Sequence, residues 1–351
     1  MVPPNIISND YENRIGGQEE LIKKSENNIG IETHRQTFSF SQIRRWPEFG
    51  VVLAFLVLFT IFSIFSSNFL TLRNITGILT IVSELGIMAI GVAFLMISGE
   101  FDLSVSSVYA FSGFLFVTLA NQYNSPLAFV ITLAIAAFIG FCNGIITLRA
   151  RIPSFIATLG MMLFLRGSLL AVTGGESVSY SSDAIMPTLL TRYIGHGFRP
   201  SHIWFFLLTL LFSLVLTNTR YGNWVFATGG NKEVARAMGV NVNKVKVINF
   251  MLSSLMASLS GCIVISRFNI ANASFGTGME LEAIASAVIG GTFLTGGYGT
   301  IIGVFFGAFL MGMMRTGLVM IGAPAYWYQT FVGAILIIAA TINLKLRHLE
   351  M

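Results

Sequence analysis

The residues of this chain that could do chemistry are ionisable groups set within or at the ends of long apolar stretches: Glu84, Glu100, Asp102, Arg166, Glu280, Glu282 and Arg315. A charge near the centre of a bilayer costs at least about 2.5–3.5 kcal/mol on insertion scales, so each should face a partner or water. Glu84 lies mid-stretch and is the best intramembrane candidate. Glu100 and Asp102 are expected near an interface, and Arg166 and Arg315 are expected to pair with acids across helices. The set shows no ordered proton relay. No Ser/His/Asp arrangement and no HExxH occurs. No glycine is followed directly by lysine, so there is no GxxxxGK[ST] phosphate loop. We therefore assign no catalytic residue and no metal ligand, and any ATP-driven work must come from another polypeptide.

The other chemically suggestive stretch is RYGNWVFATGGNKEVARAMGVNVNKVK, Arg220 to Lys246, a long charged segment in an otherwise apolar chain. Asn231 can cap a short helix by accepting from its first free N–H groups. Lys232 to Met238 makes about two turns, and Gly239 supplies a left-handed stop. Val234, Ala235 and Met238 are expected on one side, with Glu233 and Arg236 three apart beside them. So short a helix needs a surface to lie in. It reads as a docking helix, with Asn231, Lys232, Glu233, Ala235, Arg236 and Gly239 as its working residues.

These elements belong to a polytopic membrane protein. Hydrophobic residues make up 54% of 351 and charged residues 11%, against about 25% charged in soluble domains; mean hydropathy is +0.75. The net charge of +5 does not indicate nucleic acid, because the cations lie in loops between apolar stretches. An all-α fold of about ten transmembrane helices is expected near 49–67, 74–98, 102–121, 126–148, 154–173, 202–217, 247–266, 281–296, 299–321 and 325–343. The eighth is short and polar at its start, as a partial or re-entrant span would be. Arg44, Arg45, Arg149, Arg151, Arg220, Lys232, Arg236, Lys244, Lys246, Lys345 and Arg347 fall on one side. Only Arg73, Arg192, Arg199 and Arg267 fall on the other, which places both termini in the cytoplasm.

Residues 1–45 read as a flexible cytoplasmic tail, 46–345 as the transmembrane domain and 346–351 as a short cytoplasmic end. No cleavable signal peptide is expected ahead of the first apolar run. Within the domain, 218–246 forms a cytoplasmic loop and 174–201 an external one able to receive an external partner. Phe101-Asp102-Leu103 before Gly113 is echoed by Met279-Glu280-Leu281 before Gly291, as an inverted repeat would give. Gly290, Gly291, Gly296, Gly297, Gly299, Gly303 and Gly307 are read as packing glycines that let backbones approach.

Four stretches, in order, resemble the permease subunits of ribose-type ABC sugar importers. SGEFDLSVSSV (Ser98 to Val108) is similar to that family's Gly-x-x-Asp-Leu-Ser-Val segment, and IPSFIATLGMMLFLRG (Ile152 to Gly167) to its Pro-x-Phe-Ile-x-Thr-Leu-Gly segment. TGGNKEVARAMGV (Thr228 to Val240) resembles its coupling loop. SAVIGGTFLTGGYGTIIGVFFGA (Ser286 to Ala308) resembles its C-terminal Gly-rich signature. The likeness runs from about residue 45 to the end. Glu100 and Phe101 replace the Gly-Ile that many members carry, which resembles an arabinose- or xylose-like subset without naming the sugar.

The resemblance implies a multi-pass permease of the bacterial cytoplasmic (inner) membrane. It would work with a second permease (a copy or a relative), cytoplasmic ABC ATPases and an external sugar-binding protein. ATP and Mg would be bound by the ATPase, with no cofactor in this chain, and a small sugar would pass by alternating access. Asp102, Ser104, Asn143, Phe155 and Thr158 are the residues expected along the path. The alternatives are a permease for branched amino acids, nucleosides or a signalling furanose, and an ion-coupled secondary transporter.

Overall fold

The computed structural model describes residues 48–350, with side chains through 338 and at 341. The expected tail, with Arg44, Arg45 and Trp46, lies outside the described residues, as do the side chains of Lys345 and Arg347. Helices dominate: α1 (Phe49–Phe65), α2 (Leu72–Ile97), α3 (Val105–Ala120), α4 (Ser125–Arg149), α5 (Ser154–Thr173), α6 (Ile185–Leu190), α7 (Pro200–Asn218), α8 (Arg220–Gly230), α9 (Lys232–Ala237), α10 (Val242–Phe268), α11 (Met279–Ile289), α12 (Ile301–Met320) and α13 (Trp327–Glu350). The strands β1 (Val178–Ser179) and β2 (Ile270–Ala271) pair antiparallel.

The helix starts follow from local chemistry. Thr71, Asn124, Asn241 and Thr300 each accept a backbone N–H of the first turn of α2, α4, α10 and α12 respectively. Pro126 sits in the first turn of α4 and Pro200 in that of α7, where a missing N–H costs nothing.

Each of the ten expected spans contains one of these helices. α2, α4, α5, α7, α10 and α12 are long and apolar enough to cross a membrane, and α1, α3 and Trp327–Ile338 are shorter apolar helices. The expected span over 281–296 is instead the eleven-residue α11 followed by irregular backbone that leads into α12.

α2 is the axis of the bundle, with 89% of its apolar window buried inside the chain, while α5 has only 17% buried. α10, α12, α11 and α7 pack directly on α2, and α4 and α5 lie outside them. Glycines occupy the crossings. A Cβ at Gly91 would stand 2.9 Å from Ser253 Cα of α10, and one at Gly140 2.4 Å from the Phe250 carbonyl oxygen. Bilayer helices lack a hydrophobic drive to associate, so such close approach supplies the van der Waals contact that holds them.

Two sets of segments gather at opposite ends of the bundle. At one end the 174–201 connection meets the turn after α3, where Asn121 Nδ2 donates to Ser179 O and Asn121 Oδ1 accepts from Ser181 N, both at 2.9 Å. It also meets the segment after α10, through the β1–β2 pair and through Asn272 Nδ2 donating to Ser177 Oγ (2.8 Å). At the other end the turn after α2 meets the start of α5, the end of α8 and the Gly296–Gly297 turn. Loops that the charge distribution assigns to opposite sides of a membrane thus occupy opposite ends.

If close approach holds the bundle, Gly140→Ala should lower thermal stability by ~1–3 kcal/mol, the usual penalty of overpacking. Gly333→Ala, where a Cβ meets nothing within 4 Å, should leave the unfolding midpoint of the detergent-purified protein unchanged.

Candidate functional site

Two segments fold back into the bundle from its two ends. α2 ends at a left-handed Gly99 (φ 83°), and residues 100–104 turn inward to start α3 part-way along α10. α10 ends at Asn269 (φ 56°), and residues 270–278 turn inward to start α11. The second return meets the start of α3, which follows the first: a Cβ on Gly276 would stand 2.7 Å from the Tyr109 ring and 3.2 Å from the Ser106 carbonyl.

Extended backbone inside an apolar bundle must find hydrogen bonds within the protein. For the first return, Phe101 N–H donates to Ser154 Oγ (3.1 Å) and Leu103 N–H to Thr158 Oγ1 (3.0 Å), both on α5. Asp102 Oδ1 accepts from the Ser104 N–H (2.9 Å) and hydroxyl (2.5 Å), and its Oδ2 accepts from Ser253 Oγ of α10 (3.0 Å). Asn143 Nδ2 of α4 donates to Ser104 Oγ (2.8 Å). Asp102, Ser104, Asn143 and Thr158 are therefore brought together, all with no exposed surface, whereas Phe155 is 53% exposed on the outer face of α5. For the second return, Arg166 of α5 donates to the carbonyls of Ala273 and Phe275. Arg166 is expected to pair with an acid, but among the described residues it forms no ion pair and donates to these two backbone carbonyls instead.

Of the other interior charges two form largely buried ion pairs, while Glu280 Oε2 is buried without a hydrogen-bond partner among the described residues. The Arg267 guanidinium grips the Glu84 carboxylate in a fork, Nε to Oε1 at 2.8 Å and Nη2 to Oε2 at 2.9 Å. Glu282 accepts from the Tyr328 hydroxyl (2.9 Å), and Arg315 lies 5.8 Å from the Tyr328 ring centre. Glu100 pairs with Lys246. Arg267 was legible only as a loop cation, and its partnership with Glu84 spans 183 positions.

At the end that carries 174–201, Arg267 borders three cavities, one of them beside Asp183 and Arg192. One of about 690 Å³ is lined by Arg73, Thr76, Thr80, His196 and Arg199 among others, and one of about 470 Å³ by Glu84, Tyr109, Phe275, Glu282 and Arg315 among others. The 174–201 connection is pinned by Asp183, whose carboxylate accepts from the Ser125 hydroxyl and backbone N–H and from Ile185 N–H. The Ser125 hydroxyl and then its N–H hold the Asp183 carboxyl below the usual aspartate range.

At the opposite end, Asn231 Oδ1 accepts from Glu233 N–H (3.1 Å) and Val234 N–H (3.2 Å). Gly239 (φ 84°) closes α9 as its N–H donates to Arg236 O and the Val240 N–H to Ala235 O, both at 3.0 Å. Glu233 and Arg236 pair at 2.9 Å on the exposed surface. The expected grouping of Val234, Ala235 and Met238 is divided: Ala235 is buried against the chain, while Val234 and Met238 are 57% and 79% exposed. Val234 and the C-cap Met238, four apart, share the side that faces away from the bundle, whereas Ala235, one residue further round, turns toward it.

The packing glycines fall into two groups. Gly290 and Gly303 touch backbone to backbone, as do Gly307 and Ser286, which clasps α11 to α12. Gly291, Gly296, Gly297 and Gly299 lie in the intervening turn at positive φ.

Six helices among the described residues, long and apolar enough to cross a membrane, make this a multi-pass helical membrane protein. A family profile described as "Branched-chain amino acid transport system / permease component" matches residues 74–340, and the chain belongs to that permease family. Ribose import permease protein RbsC of Escherichia coli K12 is 37% identical over 294 residues, 83% of this chain and 91% of the relative. L-arabinose ABC transporter permease protein AraH of Azospirillum brasilense is 34% identical over 296 residues (84% and 86%). Autoinducer 2 import system permease protein LsrC of Photorhabdus luminescens is 29% identical over 301 (86% and 90%). A profile described as "CDR ABC transporter" matches residues 30–84 only. No solved structure matches the chain.

Because the folded Asp183 value is depressed, its contribution is complete above the ordinary aspartate range and is lost as pH falls through the depressed value. Amide exchange in 181–190 should therefore accelerate, relative to the intrinsic rate, on acidification through that window. In Asp183→Asn the protection should be low and flat with pH.

Proposed function

We propose that this chain is the membrane permease of an ATP-driven sugar importer in a bacterial inner membrane. The observation that carries the reading is α9, a capped two-turn helix with an outward Val234–Met238 stripe and a Glu233–Arg236 pair, joined at both ends to helices that contact α2. It is the piece a cytoplasmic ATPase would seat.

The sugar assignment draws on relatives named for ribose and arabinose. On this reading α9 faces the cytoplasm, both termini lie there, and the ten helical segments cross the membrane. The half-length α11 and the opposed returns before α3 and α11 support an inverted repeat. The 174–201 connection, with its arginine-lined cavity, is the surface an external binding protein would meet. α5, the least buried of the long apolar helices, is the face for a second permease, and the path runs along it past Phe155. The Asp102, Ser104, Asn143 and Thr158 network stands directly behind that face and reaches the path as helices separate in the transport cycle. ATP and Mg reside on the partner ATPase. The relative named for autoinducer 2 import keeps a signalling furanose as the second substrate reading; it is separated by asking which compound, D-ribose, L-arabinose or autoinducer 2, thermally stabilises the cognate binding protein.

In proteoliposomes holding the permease, its ATPase and its binding protein, Val234→Asp or Arg236→Ala should lower uptake and binding-protein-stimulated ATP hydrolysis at least threefold, with the permease still in the membrane. In cells, uptake should stop on ATP depletion and survive an uncoupler while ATP is maintained. The reverse pattern would establish an ion-driven carrier.

A further inference from the structure

We propose that Gly229 is a positioning residue for transport, and that the backbone junction around it carries any displacement of α9 directly to the core helix α2. This rests on the reading of α9 as the ATPase-docking helix. A Cβ at Gly229 would lie 1.8 Å from the Ile97 carbonyl oxygen in the last turn of α2 and 2.5 Å from Gly297 N. Gly297 N–H donates to that same Ile97 oxygen at 2.8 Å. Three segments distant in sequence thus converge on one carbonyl with no side chain between them. They are the end of α8, the end of α2, and the turn that joins α11 to α12. Gly296, at φ 81°, completes the contact, its Cβ position being 2.8 Å from Gly99.

The connection is made on both flanks of α9. On one side, α8 passes into α9 through Asn231 alone. The other end of α8 is tied to the same turn of α2: the Tyr221 hydroxyl donates to Asn249 Oδ1 (2.6 Å), and Asn249 Nδ2 donates to Phe94 O (3.2 Å). On the other side, α9 leads through Val240 and Asn241 into α10, where Lys246 pairs with Glu100, just past the end of α2. Both charges are largely buried, at 11% and 14% exposure, so the pair is little screened by water.

Side chains in a packed interface can change rotamer and absorb a small shift. Backbone against backbone cannot, and packed interfaces move between discrete arrangements rather than deforming continuously. A push on α9 therefore moves Ile97 or breaks the Gly297–Ile97 bond. Either event also reaches the turn that holds α11 against α12, so one docking helix drives both halves of the echoed arrangement.

The test uses the assembled transporter in nanodiscs with Mg-ATP and vanadate as the probe, on a Cys142→Ser/Cys262→Ser background. Met238→Cys reports docking by cross-linking to the ATPase. Tyr193→Cys, at the opposite end of the bundle, reports opening by its rate of reaction with a charged maleimide. In Gly229→Ala the cross-link should persist while the nucleotide-dependent change at position 193 falls at least fivefold. Gly230→Ala, whose Cβ would meet only Gly297 Cα at 4.0 Å, should keep the full response. Glu100→Lys should lose it, and Glu100→Lys/Lys246→Glu should recover it, which keeps the proposal testable if Gly229→Ala does not assemble. A full response in cross-linked Gly229→Ala, or in Glu100→Lys, would overturn the proposal. Absence of the cross-link in the otherwise unsubstituted chain would overturn the docking reading, and the junction with it.

Discussion

Backbone that leaves the regular helices inside an apolar bundle needs hydrogen bonds from other parts of the chain, and much of the architecture follows from that constraint. Regular helices answer their own amides. The two returns, 100–104 and 270–278, cannot, and α5 serves them both. Ser154 and Thr158 accept N–H groups of the first, and Arg166 donates to carbonyls of the second. The chemistry is matched to the need, since hydroxyls accept where amides are unpaired and a guanidinium donates where carbonyls are. A helix that exposes most of its surface is thereby held to both returns of the chain.

Two ion pairs follow the same rule. Glu84 and Arg267 tie the middle of α2 to the far end of α10, while Glu100 and Lys246 tie the segment just past the end of α2 to the near end of α10. Removing one member of such a pair would leave a charge without compensation, the costly situation in a low-dielectric interior. The two long buried helices are thus fastened by opposite charges at two levels and between them by the glycine contact at Gly91. Asp102 differs, because hydroxyls and an N–H answer it with no cation near.

The surface divides by what remains unanswered. The Val234–Met238 stripe is apolar where the flanking sequence is charged, and it points away from the bundle. The opposite end presents arginines around a cavity, including Arg199 stacked 3.9 Å from the Tyr193 ring centre. An apolar knob at one end, a basic hollow at the other and a long uncovered helix between them are the faces of a protein built for company. They accord with membership in a permease family.

Short-range features were determined by the sequence alone. The helix start at Asn231, the stop at Gly239, the Glu233–Arg236 pair and the apolar lengths of the long helices depend on neighbours within a few residues, so residue type and spacing suffice. Family membership was legible for the same reason, since its motifs are local. Only the tertiary structure decided that Ala235 turns inward, that Arg166 serves carbonyls rather than an acid, and that Gly296 and Gly297 belong to a junction with α2 and α8 rather than to a helix pair. It also decided that Asp102, Ser104, Asn143 and Thr158 form one closed network. Each of those outcomes depends on which distant segment arrives within 3 Å, and an apolar helix that is hydrophobic on every face carries no sequence signal of which side its neighbours will take.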